Sequence, residues 1–143
     1  MNNGFVHDRA LLDPLVGLFE NLGAVVYREY PVRLGGRVCY GDLWVHHEAK
    51  RYLIEAENGP RRIGRDLVKA AVLRADLLAI IVPTWMAARS VRRRVGNLTH
   101  SGRPSVAEVW VLPIGVAIRR FRTRTLSLVN GQAPSRAMRS PDS

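Results

Sequence analysis

Leu11, Leu15, Leu18 and Leu22 recur at helical spacing, with Leu12, Val16 and Phe19 beside them. This predicts an amphipathic helix from about residue 7 to 22, ended by Gly23. Asp13-Pro14 falls near its first turn, where proline is tolerated. The period then shortens. Residues 24–32, AVVYREYPV, read as a strand, and Leu34-Gly35-Gly36 turns the chain into a second strand over 39–45. A short polar stretch, 46–51, separates it from a third over 52–57. Asn58-Gly59-Pro60 closes that strand and opens a helix to about Arg74, with Pro60 at its first position. Ile63, Leu67, Ala70 and Ala71 face inward on it, while Arg61, Arg65 and Lys69 recur every four residues on another face. LLAIIVP (77–83) is almost continuously apolar, as a central strand buried on both faces would be. Thr84 caps a helix over 84–98. A strand follows at 107–115. Residues 117–129 alternate and read as a last strand or extended arm, with Arg120, Arg122 and Arg124 on one face. The order helix, three strands, helix, strand, helix, strand places the chain in the α/β class.

Three carboxylates sit oddly in this pattern. Asp42, Glu55 and Glu57 fall inside apolar strand runs, although the chain has only 12 acidic residues against 22 basic ones. An unpaired carboxylate is expensive in such a place. If the hairpin turn centres on Glu48-Ala49, Asp42 stands opposite Glu55, with Cβ atoms roughly 4.5–5.5 Å apart. Alternation then puts Leu53, Glu55 and Glu57 on one face and Tyr52, Ile54 and Ala56 on the other. A divalent cation bound by hard oxygen ligands resolves the repulsion among the acids. The alternative is a solvated hairpin face on which Arg37, Lys50 and Arg51 pair with them. A one-residue slip of the turn would dismantle the cluster.

A helix, a hairpin carrying Asp, and a strand ending in Glu-x-Lys characterise the PD-(D/E)XK nuclease superfamily. Residues 8–83 of this chain resemble it through Asp42 and the triplet Glu55-Ala56-Glu57. Asp42 follows Gly41 rather than the commoner Pro. Glu57 stands where the family usually has Lys, a Glu-x-Glu variant that some of its restriction enzymes carry. The resemblance implies a restriction endonuclease-like αβββαβ core, a mixed central sheet flanked by helices. It implies Mg²⁺ as cofactor, with Mn²⁺ able to substitute, held by Asp42, Glu55 and the backbone carbonyl of Ala56. It implies catalytic roles for Asp42, Glu55 and Glu57, and Lys69 is the candidate for the missing cation. In relatives an acid from the first helix often joins the site. Asp13 and Glu20 are the candidates here, against the simpler reading of surface helix acids.

Composition narrows the partner. A net charge of +10 points to a polyanion, and DNA is the partner the resemblance implies. Arg61, Arg65, Arg92 and Arg93 are the candidate nucleic-acid contacts. Lys50 and Lys69 are the only lysines. Cys39 is the only cysteine, so no intrachain disulfide forms and a reducing cytoplasm is expected. No apolar run approaches the ~20 residues of a membrane span. Trp44, Trp85 and Trp110 fall in apolar runs and read as core, and the His46-His47 pair reads as a turn end. Residues 1–131 are expected to form one nuclease-like domain and 132–143 a disordered tail rich in Ser, Pro and Arg. A homodimer would allow both strands of a duplex to be cut, but no interface is visible in the sequence. The expectation is therefore a Mg²⁺-dependent DNA endonuclease. The alternatives are a catalytically impaired nucleic-acid-binding protein of the same fold, an RNA-processing nuclease, or a basic structural protein.

Overall fold

The computed structural model describes residues 2–100 and 106–125, with side chains from residue 10. Helix α1 spans Asn2–Asn21. It begins five residues earlier than the apolar spacing suggests, so Pro14 lies inside the helix rather than in its first turn. Gly23, at φ +82°, ends it in the left-handed region, where a Cβ is disfavoured.

Three antiparallel strands follow, β1 (Val25–Leu34), β2 (Arg37–His47) and β3 (Lys50–Ala56). A 3₁₀ turn, Pro60–Arg62, leads into α2 (Ile63–Leu73). Strand β4 (Leu77–Val82) lies parallel to β3, and β5 (Val109–Pro113) parallel to β4, with α3 (Trp85–His100) between them. The fold is α/β, with one five-stranded mixed sheet in the order β1-β2-β3-β4-β5 and helices on both faces.

Residues 114–125 form a further helix, α4, where the sequence suggested a strand or arm. Ala117, Phe121 and Thr125, four residues apart, are all fully buried. That spacing is helical, and it outweighs the β-branched, alternating look of the segment. Residues 126–129 and the expected tail, 132–143, lie outside the described residues.

The two faces of the sheet carry separate cores. Tyr52, Ile54 and Ala56 of β3 pack with α1 and α4, where Phe19 meets Phe121 edge-on at 5.0 Å. Leu53 packs on the other side with Ile63, Leu67 and Ala70 of α2 and Ala88 and Val91 of α3. Every residue of β4 is buried, as its unbroken apolar run requires. Thr84 Oγ1 accepts a hydrogen bond from Ala87 N–H at 3.1 Å, which caps α3. Trp44 and Trp110 are core residues, but Trp85 is 54% exposed at the start of α3. Among the described residues, no helix is long and apolar enough to cross a membrane.

Candidate metal centre

The site grows out of the β2–β3 hairpin. Its turn is Glu48-Ala49, with Glu48 at φ +57°. The register runs from His47 opposite Lys50 to Leu43 opposite Ile54. Asp42 and Glu55 come next, but the ladder stops before them. Asp42 Oδ2 instead accepts the Ala56 N–H at 2.8 Å, satisfying with a side chain the donor that regular pairing would have used.

Both strands break their alternation at this point. On β1, Tyr27 and Tyr30 turn to the same side, their rings 5.5 Å apart, with Glu29 between them at φ +48°. Such a φ costs a residue with a side chain about 1–2 kcal/mol. Register places Glu29 across from Asp42. On β2, a Cβ built on Gly41 would lie 2.7 Å from Leu53 Cδ1 and 3.5 Å from Glu55 Oε2. Gly41 therefore faces the side that Trp44 also faces, which regular alternation forbids. The absent side chain leaves the room in which Leu53 and Glu55 sit. Gly41→Ala is expected to cost about 1–3 kcal/mol, because Leu53 is fully buried and its displacement strains a packed core. Thermal unfolding checks this, and a variant as stable as the wild type would show that Leu53 yields freely.

Glu55 and Glu57 stand at the C-terminal end of β3, 2% and 8% exposed. The Glu57 N–H donates to Ile81 O at 2.9 Å, which carries the β3–β4 pairing past the end of the strand and fixes where Glu57 starts. Helix α2 packs over this end and brings Asp66, 1% exposed, and Lys69, 5% exposed. One oxygen each from Glu55, Glu57 and Asp66 lie within 4.8 Å of one another. Lys69 Nζ is 3.0 Å from Glu55 Oε2 and 3.6 Å from Asp66 Oδ1, and it donates to Tyr40 O at 2.8 Å.

The converging triad therefore differs from the one expected. Asp42 lines the same cleft and its charge acts on Glu55, but Asp66 takes the third place. No signal from the hairpin could reveal Asp66. The helix did carry one: Asp66 lies three residues after Ile63 and four before Ala70, on the apolar face of α2. Lys69 shares that buried face, not the exposed one of Arg61 and Arg65. Neither α1 candidate joins the cluster, and both stand as surface helix acids. Asp13 is exposed and pairs with Arg28 at 3.3 Å, Glu20 is exposed, and α1 packs against the opposite face of the sheet.

The electrostatics are unbalanced. Burial, then the charge of Asp42, pushes Glu55 well above the ordinary carboxylate range, against the pull of Lys69. Burial, the charge of Glu55 and a shared hydrogen bond with Glu57 do the same to Asp66. Burial alone would lower Lys69, but the charges of Glu55 and Asp66 outweigh it and its ammonium is held above its usual range. One buried lysine thus faces three buried carboxylates, with Asp42 beside them. Asp66 Oδ2 has no hydrogen-bond partner among the described residues. An uncompensated buried charge costs several kcal/mol, so protons or a cation must complete the cluster. Glu55, Glu57 and Asp66 converge as hard-oxygen donors that could hold a metal ion, with Asp42 in the same cleft.

The cleft over these groups has a volume of about 320 Å³. Ala56 lines it, and Arg37, Arg62 and Arg65 stand around it. Arg61 is exposed on the 3₁₀ turn and is not part of the wall. Arg92 stacks over Trp85 at 5.2 Å and donates to Val111 O at 2.9 Å, so its guanidinium already has protein partners. Arg93 is exposed on α3. His46 and His47 lie at the turn end of the hairpin, away from the cleft. Comparison with protein-family models, with curated proteins and with solved structures gives no match.

Proposed function

We propose that this chain is a Mg²⁺-dependent endodeoxyribonuclease, with its active site at the Asp42–Glu55–Glu57–Asp66–Lys69 cluster. The observation that carries this reading is the convergence of three buried carboxylate oxygens within 4.8 Å, one carboxylate having an oxygen with no partner, beneath a rim of arginines. A structural ion pair needs one acid per base. The surplus of acids is what a cation site requires.

Of the three converging acids, Glu55 and Asp66 would hold the metal, with Asp42 and the carbonyl of Ala56 lining the same cleft. A bound Mg²⁺ supplies Lewis-acid stabilisation and lowers the pKa of a coordinated water. The third, Glu57, would accept a proton from an attacking water. Lys69 takes the part the family gives to the strand lysine, reaching Glu55 from α2 rather than from β3. Arg62 and Arg65 hold the phosphate backbone at the rim, and Arg61 and Arg93 add longer-range attraction. The element order αβββαβ, with a mixed sheet, supports kinship with the PD-(D/E)XK nucleases.

One observation favours a second reading. Lys69 sits 3.0 Å from Glu55, close enough to neutralise it without any metal. On that reading the chain is a catalytically impaired nucleic-acid-binding protein that has internalised its own cation.

The two part in a cleavage assay with linear duplex, single-stranded and four-way-junction DNA and matched RNA, with Mg²⁺ or with chelator. Metal-dependent cleavage of DNA over RNA is expected. Glu57→Gln keeps the shape of the side chain and removes its basicity, and it should reduce the rate at least about a hundredfold. No cleavage of any substrate in Mg²⁺ or Mn²⁺ would favour the impaired binder. Full activity in Glu57→Gln would remove Glu57 from the chemistry.

A further inference from the structure

A second hollow, of about 400 Å³, lies between α2 and α3 against the end of β1. Its accessible apolar wall is formed by Leu34, Val68 and Leu98 with Gly64, over the fully buried Leu67, and two arginines stand in it, Arg65 and Arg94. Arg65 also lines the acidic cleft. The two hollows are therefore neighbours that share one cation. The volume is at the scale of small-ligand sites, roughly 300–1,000 Å³. The chemistry is of two kinds. Both charged groups are positive, both are exposed, and neither has an acidic partner among the described residues. The rest is hydrocarbon.

We propose that this hollow is a nucleotide subsite. It takes one unpaired nucleotide of the DNA strand that crosses the acidic cleft, the base against Leu34, Val68 and Leu98 and its phosphate between Arg65 and Arg94. The inference rests on the nuclease reading, because the strand is led here by its passage over the cleft. Charge decides the ligand class. Two unpaired guanidiniums over an apolar wall match a group that is anionic at one end and weakly polar at the other. A base inside a duplex cannot enter, since its faces are stacked. A bulged, mismatched or flipped base can, and it has less stacking to lose. The subsite thus gives the enzyme a preference for distorted DNA.

The test is binding, measured in chelator so that nothing is cut, to two short duplexes identical except for one extrahelical adenosine. Wild-type protein is expected to favour the bulged duplex by about tenfold. Arg94→Ala should bring that ratio close to one. Arg89→Ala, which removes the same charge from an exposed position on the same helix, should leave the ratio unchanged. Gly64→Leu tests the cavity without altering charge. Its Cβ would meet Leu98 Cδ1 at 3.7 Å, an ordinary contact, and the added side chain fills the hollow. It should abolish the preference while affinity for the perfect duplex stays the same. Equal binding of both duplexes by the wild type would overturn the subsite. Equal losses in Arg94→Ala and Arg89→Ala would do so too, leaving only general attraction. If the wild type nicks plasmid in Mg²⁺ but shows no preference, the subsite alone fails. If it binds neither duplex, the nuclease reading fails with it.

Discussion

Asp66→Asn is expected to make the metal-free protein more stable than the wild type, by about 1–3 kcal/mol at neutral pH, the penalty attached to a buried polar group left unsatisfied. Asn is isosteric, its amide can donate to a neighbouring carboxylate, and Lys69 keeps its closer partner, Glu55 at 3.0 Å. At roughly 2–4 °C per kcal/mol the melting temperature rises by several degrees. If the proposed site binds Mg²⁺ or Mn²⁺, the metal should stabilise the folded state, as any ligand of that state alone does, and the same substitution should abolish the effect. Asp66→Asn therefore separates a functional acid from a structural one.

pH sharpens the same expectation. Glu55 and Asp66 are raised in the folded state. The folded protein thus binds protons more readily than the unfolded chain above the ordinary carboxylate range, and stability must fall as pH rises through that window. Without metal, the wild type should lose stability between its ordinary and raised carboxyl values, and Asp66→Asn should lose less. A cation competes with those protons, so its stabilising effect should grow as pH rises. A metal-free protein whose stability rises across this range, or an Asp66→Asn variant less stable than the wild type, would contradict the charge imbalance.

Lys69→Met should have the opposite sign and a larger size. Removing the lysine leaves Glu55 and Asp66 without a counter-charge among the described residues, a loss of about 3–5 kcal/mol for a broken buried pair. Burial is not the cause, since Met fills much the same volume. Mild acid should restore part of the loss by protonating the carboxyls, and Mg²⁺ should restore more of it. If the lysine is also the cation of the chemistry, metal rescues the fold but not the cleavage. Calorimetry with and without Mg²⁺, alongside a cleavage assay, reads both. An unchanged melting temperature at neutral pH would mean that Lys69 balances nothing.

The hairpin was legible because its signals are local. The polar turn, the period-two alternation and the Glu48-Ala49 centre together set Leu43 opposite Ile54. The next pair was not, because Asp42 leaves the ladder to accept the Ala56 N–H, and the break at Glu29 that accompanies it depends on contacts between strands. By spacing alone Lys69 reads as a cation on an arginine face. Its burial follows from the pitch of α2, which sets it beside Asp66 and over Glu55, 14 residues away in sequence. Asp66 was legible in principle as an acid on an apolar helix face, but its neighbours Arg65 and Lys69 disguised it as one more charge on a solvated helix. The misread last segment shows the limit of period arguments. In 117–125 the arginines alternate while the buried residues recur every four, and only packing against Trp110 and Phe19 tells which pattern governs.

We propose that the acidic cleft supports metal-dependent phosphodiester hydrolysis. Its most direct measurement is nicking of supercoiled plasmid by the wild type and by Glu55→Gln, in Mg²⁺ and in chelator, with DNA affinity determined for both proteins. The expected result is nicking by the wild type in Mg²⁺ only, at least about a hundredfold less by Glu55→Gln, and equal affinity for both, since the proposed arginine–phosphate contacts, which would weaken steeply with salt, are untouched. Nicking that persists in chelator, or that Glu55→Gln performs as well as the wild type, would contradict it.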